Sequence, residues 1–204
     1  MKKICVFCAA KSGNTPDFVS LASQVGQSIN SLNMTLVYGG SQLGLMGAVA
    51  DGALKGSGQV LGVFTSELHG KEIPHPGLTH LKVTPTLMDR KLEMINNSDA
   101  FLILPGGYGT LDEFFEVLTM RKLGIHNKPI IVFNYQGFWN SLLNQLQELK
   151  SVGFVAASLP EEEKDYKVIE TLPELMHYLS DKKKLAENTE AQQIESDEII
   201  LKTA

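Results

Sequence analysis

The sequence predicts a single-domain α/β fold: a doubly wound, Rossmann-like and mostly parallel sheet with helices on both faces. Three observations point there. Short apolar runs alternate with amphipathic stretches along the chain. The runs are continuous rather than alternating in polarity, as strands covered on both faces require. Two glycine-rich segments each stand between a strand and a helix, where folds of this class place their ligands.

The first run, Ile4–Cys8, follows Met1-Lys2-Lys3 and superficially imitates a secretory leader. It is short for that role, and Lys11 stands where small residues would be expected, so it reads as a buried first strand. It carries a C-x-x-C pair, Cys5 and Cys8. Residues three apart on a strand point to opposite faces, so the two read as reduced cysteines rather than a disulfide. Pro16–Ser31 is the first helix, with Pro16 in its first turn and Thr15 as cap. Strand Thr35–Tyr38 and helix Leu45–Lys55 follow, then strands Val60–Phe64 and Leu81–Val83. Helix Leu87–Asn97 opens on the capping box Thr86-x-x-Asp89. Strand Ala100–Leu104, helix Leu111–Leu123, strand Pro129–Phe133 and helix Phe138–Ser151 complete the alternation, and a last short helix is expected from Pro173 to about Lys184. Residues 1–181 then form the nucleotide-binding domain. Residues 182–204 are charged and poor in aromatics and read as a mobile tail, with Ile199-Ile200-Leu201 as its one apolar patch able to dock.

With 204 residues, 43% hydrophobic and 20% charged, the chain suits one domain with a sizeable core. Its net charge of -5 disfavours a nucleic-acid polymer as partner, whereas a single nucleotide needs only a local positive site. No apolar stretch approaches the ~18 residues of a membrane span. Together with the reduced cysteines this predicts a cytoplasmic protein without a membrane partner.

The segment Leu104-Pro105-Gly106-Gly107-Tyr108-Gly109-Thr110 leaves a strand and opens a helix. Glycines let a backbone approach a ligand closely, and free N–H groups at a helix start attract an anion, with phosphate the natural candidate. Thr110 adds a hydroxyl. The second segment, Tyr38-Gly39-Gly40-Ser41-Gln42-Leu43-Gly44-Leu45-Met46-Gly47, lacks the G-x-G-x-x-G spacing of a dinucleotide site, and no acid ends the next strand. Neither segment contains the Gly-Lys-Ser/Thr of a P-loop. A mononucleotide phosphate site remains.

In the helix after the first segment, Leu111, Phe114, Phe115 and Leu118 form an apolar stripe, and Glu113, Glu116 and Met120 lie opposite, with Asp112 at the margin. Carboxylates beside an anion site need a reason. Thr110-x-x-Glu113 fits a capping box, which would make Glu113 structural; spacing alone leaves capping and catalysis both open. Arg90 and Lys91 open another helix near the same sheet edge; by residue type alone, exposed surface cations are the better expectation.

The motif P-G-G-Y-G-T-x-x-E from Pro105 to Glu113, with Arg90-Lys91, resembles the LOG family of cytokinin riboside 5′-monophosphate phosphoribohydrolases, whose members often carry a lysine decarboxylase label. Val37-Tyr38-Gly39-Gly40 with Gly44-Leu45-Met46-Gly47, Leu123-Gly124-Ile125-His126-x-Lys128-Pro129 and Gly137-Phe138-x-x-Ser141-Leu142-Leu143 extend the likeness, which runs from about Lys3 to Leu179. The resemblance implies hydrolysis of the N-glycosidic bond of a purine nucleoside 5′-monophosphate such as AMP, giving free base and ribose 5-phosphate. It also implies no metal or organic cofactor, and a homodimer. Its catalytic residues fall on Arg90 and Glu113. Its substrate contacts fall on Gly106, Gly107, Tyr108, Gly109, Thr110, Leu111 and Asp112, with Lys91, Glu72, Met88, Gly40, Gly44 and Thr119 as further positions.

The sequence departs from the family pattern in three places. Met88 replaces a histidine, Ser41 replaces the third glycine of its loop, and Cys8-Ala9-Ala10-Lys11 replaces C-G-S-S. These bear on which base is preferred. A non-catalytic nucleotide carrier or sensor of the same fold is the alternative, and retention of both Arg90 and Glu113 argues against it. A pyridoxal phosphate decarboxylase would need a Schiff-base lysine with a ring-nitrogen partner, and no lysine fits convincingly. His69, His75, His80, His126 and His177 show no metal-ligand spacing and read as surface or loop residues.

Overall fold

The computed structural model describes residues 1–156 and 165–203, with side chains through residue 188 in the last helix. The strands are β1 (Lys3–Phe7), β2 (Thr35–Tyr38), β3 (Gln59–Thr65), β4 (His80–Thr84), β5 (Ala100–Ile103), β6 (Ile130–Phe133) and β7 (Lys167–Ile169). The helices are α1 (Pro16–Ser31), α2 (Gly44–Ala53), α3 (Leu87–Asn96), α4 (Tyr108–Lys122), α5 (Asn140–Ser151) and α6 (Leu172–Thr203). All described strand pairs are parallel, in the order β4-β3-β2-β1-β5-β6-β7. The predicted fold class holds.

The order reverses between β1 and β5, which pair directly, Val6 opposite Leu102 and Phe7 opposite Ile103. The loops leaving these two strands must diverge to opposite faces, which opens a crevice at their carboxyl ends. Two cores flank the sheet. One packs α1, α2 and α6 around Val25, Leu36, Val49 and Leu179. The other packs α3, α4 and α5 around Phe7, Met94, Phe101, Phe114 and Val117. Cys5 and Cys8 fall in different cores and are both free and buried, as their spacing on a strand predicts.

Several element boundaries differ from expectation for physical reasons. Pro16 occupies the first turn of α1 and Thr15 is its N-cap, but the Thr15 side chain makes no capping hydrogen bond. On α4 the buried stripe is Phe114 and Val117, while Phe115 is exposed. β7 has only three residues, one of them lysine, and gave no apolar run to read. α6 runs to Thr203 rather than ending near Lys184. After Pro173 that stretch has neither Gly nor Pro and is rich in Lys, Glu, Gln and Ala, so the composition that suggests a tail also favours a helix. The side chains of Ile199-Ile200-Leu201 lie outside the described residues. His75 and His126 are loop residues, as expected, but they are partly buried and bonded: His75 Nε2 lies 3.1 Å from Asp51 Oδ1 and His126 Nε2 3.0 Å from the Val117 carbonyl.

Candidate active site

The two glycine segments have different fates. The N-terminus of α2 is closed by protein: Leu45 and Met46 donate their N–H groups to the Ala9 carbonyl at 3.1 and 3.2 Å. Gly44, at φ +55°, lies so close to the loop after β1 that a Cβ would sit 2.4 Å from the Ala10 carbonyl carbon. Gly40, at φ +75°, turns the chain and accepts from the His75 N–H at 2.9 Å. This segment is therefore a clamp on the loop after β1, and two amides of its helix start are taken by the Ala9 carbonyl.

The N-terminus of α4 is open. The helix begins at Tyr108 with Gly107 as N-cap, three residues earlier than the sequence suggests, and no side chain caps it. The N–H groups of Tyr108, Gly109 and Thr110 therefore have no intrahelical acceptor, the first bond being Leu111 N–H to the Gly107 carbonyl at 3.0 Å. A Cβ on Gly107 or Gly109 would meet open space, whereas one on Gly106 would lie 2.1 Å from Thr110 Oγ1. Pro105 accepts from Ala9 N–H at 3.2 Å, which joins the two loops across the crevice.

This register removes the capping-box reading of Glu113. Thr110 is the third residue of the helix and Glu113 the sixth, a full turn too far along to return to an N-cap amide. At α3 the N-cap arm of the box does form, Thr86 Oγ1 accepting from the Asp89 N–H at 3.1 Å, while the Asp89 carboxylate takes the Thr86 hydroxyl at 2.7 Å instead of its backbone N–H. Glu113 instead faces a cleft of about 450 Å³ at the carboxyl ends of β1 and β5, whose walls include Cys8, Ala9, Ala10, Lys11, Gly39, Met46, Glu72, Arg90, Met94 and Gly107 to Thr110. Partly open to the cleft, its carboxyl is otherwise ringed by protein. That desolvation raises its pKa from 4.5 to about 7, against the opposing pull of Arg90 and with smaller upward contributions from Asp112 and Glu116.

Arg90 is buried, contrary to the surface position that residue type suggests. Tyr38 and Gly62 are the last register pair between β2 and β3, so the carbonyls beyond them need donors. Arg90 supplies these, Nε to Val63 O at 2.9 Å and Nη2 to Gly39 O at 2.7 Å, while Met46 Sδ lies 3.9 Å from Nη2. Nη1 makes no hydrogen bond among the described residues, and the side chain lines the cleft.

Lys91 turns the other way. It is paired with Glu116 at 2.6 Å and Asp112 at 2.9 Å and is absent from the cleft wall. Burial alone would lower its pKa; the two carboxylates outweigh this and hold it above the ordinary lysine value. Asp112 is thus engaged away from the anion site. Glu72 does reach the cleft, and its buried Oε2 has no hydrogen-bond partner among the described residues. Its loop is tied down by a Ser41–Pro74 bridge and by Gln42 N–H to the Ile73 carbonyl at 2.9 Å. Leu111 packs against the core, while Met88 and Thr119 are exposed and do not line the cleft. Sequence reasoning connected Cys8 to Lys11 with base preference and Met46 with the family's glycine loop, but did not name them or Met94 as walls of the cleft. The signal available was topological: a first strand next to the glycine-loop strand puts both loops at one crevice.

Known proteins resemble this chain. A family model described as "Possible lysine decarboxylase" matches residues 46–179. The chain is 41% identical over 155 residues to the cytokinin riboside 5′-monophosphate phosphoribohydrolase LOG1 of Arabidopsis thaliana, covering 76% of this chain and 73% of that one. It is also 41% identical over 155 residues to LOG7 of the same plant, covering 76% and 71%. Among solved structures, the molybdenum cofactor binding protein of Rippkaea orientalis superposes with a TM-score of 0.65 at 21% identity, covering 88% of this chain and 96% of that one, a likeness of fold. With its glycine-opened helix, buried arginine and cleft glutamate on a scaffold shared at this level of identity, the chain belongs to the LOG family.

Proposed function

We propose that the protein hydrolyses the N-glycosidic bond of a purine nucleoside 5′-monophosphate, adenine or a cytokinin being the base, to release free base and ribose 5-phosphate. One observation carries the reading: the uncapped first turn of α4 and the carboxyl of Glu113 open into the same cleft. The names of the relatives at 41% identity support it.

In this reading the amides of Tyr108 to Thr110 bind the phosphate, with the helix dipole adding roughly 0.3–2 kcal/mol. That remote binding holds the ribose in place. As the C1′–N bond lengthens, positive charge spreads over C1′ and the ring oxygen. Glu113, once ionised, stabilises that charge and orients the attacking water, as carboxylates do in sugar hydrolysis. Water gives its hydroxyl to C1′ and a proton to the departing base. Arg90, with two nitrogens fixed on carbonyls, presents its third to the substrate in a set direction.

The exposed apolar residues Leu81, Val83, Leu87, Met88, Leu92 and Phe115 lie on β4, α3 and α4 beside the site and support a homodimer. Two free, buried cysteines suit a cytoplasmic setting, and no described helix is long and apolar enough to cross a membrane. The decarboxylase description gains nothing from Lys91, which is held by Asp112 and Glu116 away from the cleft and cannot form a Schiff base there.

The test is product analysis with AMP, isopentenyl-AMP and the matching nucleosides. Free base from the monophosphates alone is expected. Release from nucleosides alone, or an absorbance band from bound pyridoxal phosphate, would overturn the reading.

A further inference from the structure

We infer that Lys11 is a specificity-determining residue that recognises the phosphate of the substrate, from the cleft that it lines together with the first turn of α4. The inference rests on reading the cleft as a phosphate-ester site.

The argument begins with charge. A phosphomonoester brings close to two negative charges into a cleft already lined by Glu72 and Glu113. Helix amides and dipole offset only about half a charge. Of the cations near the site, Arg90 is buried and spends two of its nitrogens on carbonyls, and Lys91 is held by Asp112 and Glu116. Lys11 also lines the cleft, is exposed, and has no ion-pair partner among the described residues.

Its backbone is well fixed. The Ala9 carbonyl accepts from two α2 amides, the Ala9 N–H reaches the Pro105 carbonyl, and Gly44 packs within van der Waals reach of Lys11 N. The loop holding Lys11 is thus tied to the loop holding the anion site. Lys11 and the first turn of α4 line one cleft, and the flexible lysine stem can turn within it while its base stays fixed. A neutral nucleoside gains nothing from this cation; a monophosphate does.

Titration calorimetry with ribose 5-phosphate tests it on the intact protein. Lys11→Ala should weaken binding about five- to tenfold at low salt, with little difference left at roughly 0.5 M salt, and Lys11→Arg should retain affinity. Melting temperature should not change, since the side chain is exposed. In turnover, Lys11→Ala should raise KM for the monophosphate by more than it lowers kcat. Unaltered affinity in Lys11→Ala, a loss that high salt does not reduce, or no binding to the native protein would each overturn the inference. If ribose 5-phosphate binding depends on Lys11 but no monophosphate releases base, the enzymatic reading fails and this one stands. Base release with affinity indifferent to Lys11 gives the reverse.

Discussion

The Arg90 guanidinium lies 2.7 Å from the Gly39 carbonyl at a point where residue 39 has no room for a side chain. A Cβ there would sit 1.9 Å from Arg90 Nη2 and 2.8 Å from Met46 Sδ. Gly39→Ala should therefore push Arg90 off its carbonyls. We expect a loss of about 1–3 kcal/mol in denaturant unfolding together with at least a tenfold fall in kcat/KM. A variant of native stability and activity would show that Arg90 does not need this seat.

Glu113→Gln keeps shape and removes charge. Turnover should fall by about 10²–10⁴ while ribose 5-phosphate still binds. Because the helix start at Tyr108 leaves Glu113 with no capping role, the change should not loosen α4. Retained turnover would return Glu113 to the category of structural residues.

The same residue sets a pH dependence. Its folded pKa of about 7 exceeds the ordinary 4.5, so between these values the folded chain holds more protons than the unfolded one. Its contribution to stability is fully present below about 4.5 and is lost as pH rises through about 7. Glu113→Gln should then be the more stable protein at pH 8 by roughly 2–3 kcal/mol, and the gap should close toward pH 4.5. In kinetics the sign reverses, because the ionised form is the useful one. kcat/KM should rise with pH to a plateau through about 7, and the limb in kcat should lie higher, since a bound phosphate further disfavours a second negative charge. Stability assays and pH–rate profiles check the two halves separately.

Two glycines of one loop should respond differently. Gly106→Ala forces a Cβ against Thr110 and should lower the melting temperature. Gly107→Ala meets nothing in the fold, yet its methyl intrudes beside the free amides. It should melt like the native protein while raising KM for the monophosphate several-fold. Equal behaviour of the two would argue against an anion site there.

Lys91→Met should cost about 1–3 kcal/mol, since it leaves Glu116 partly buried without its cation. Because Lys91 is not part of the cleft wall, KM should change little.

How far the sequence could be read depends on which physical signal each part left. Apolar runs located six strands, five of them because burial within the sheet demands such runs and β4, an exposed edge, through Leu81 and Val83 alone; β7, three residues at the other edge with Lys167 in it, left no such run. The start of α4 was misplaced because Gly107-Tyr108-Gly109 is poor helix-forming sequence, and that shift made Glu113 look like a cap. Arg90 looked like a surface cation because nothing in its own helix discloses the unpaired carbonyls of Gly39 and Val63, which come from distant strands. Lys91 was adjacent in sequence to Arg90, yet one step along a helix turned it toward Asp112 and Glu116. The second glycine segment gives no hint that two of its helix amides are taken, because their acceptor, the Ala9 carbonyl, lies more than thirty residues upstream.

That main-chain clamp on Ala9 separates architecture from chemistry in one wall of the pocket. The grip uses carbonyl and amide groups common to every residue, so it holds the loop in place whatever side chains residues 10 and 11 present to the pocket. A lineage can therefore exchange them, and retune what it accepts, without renegotiating the scaffold.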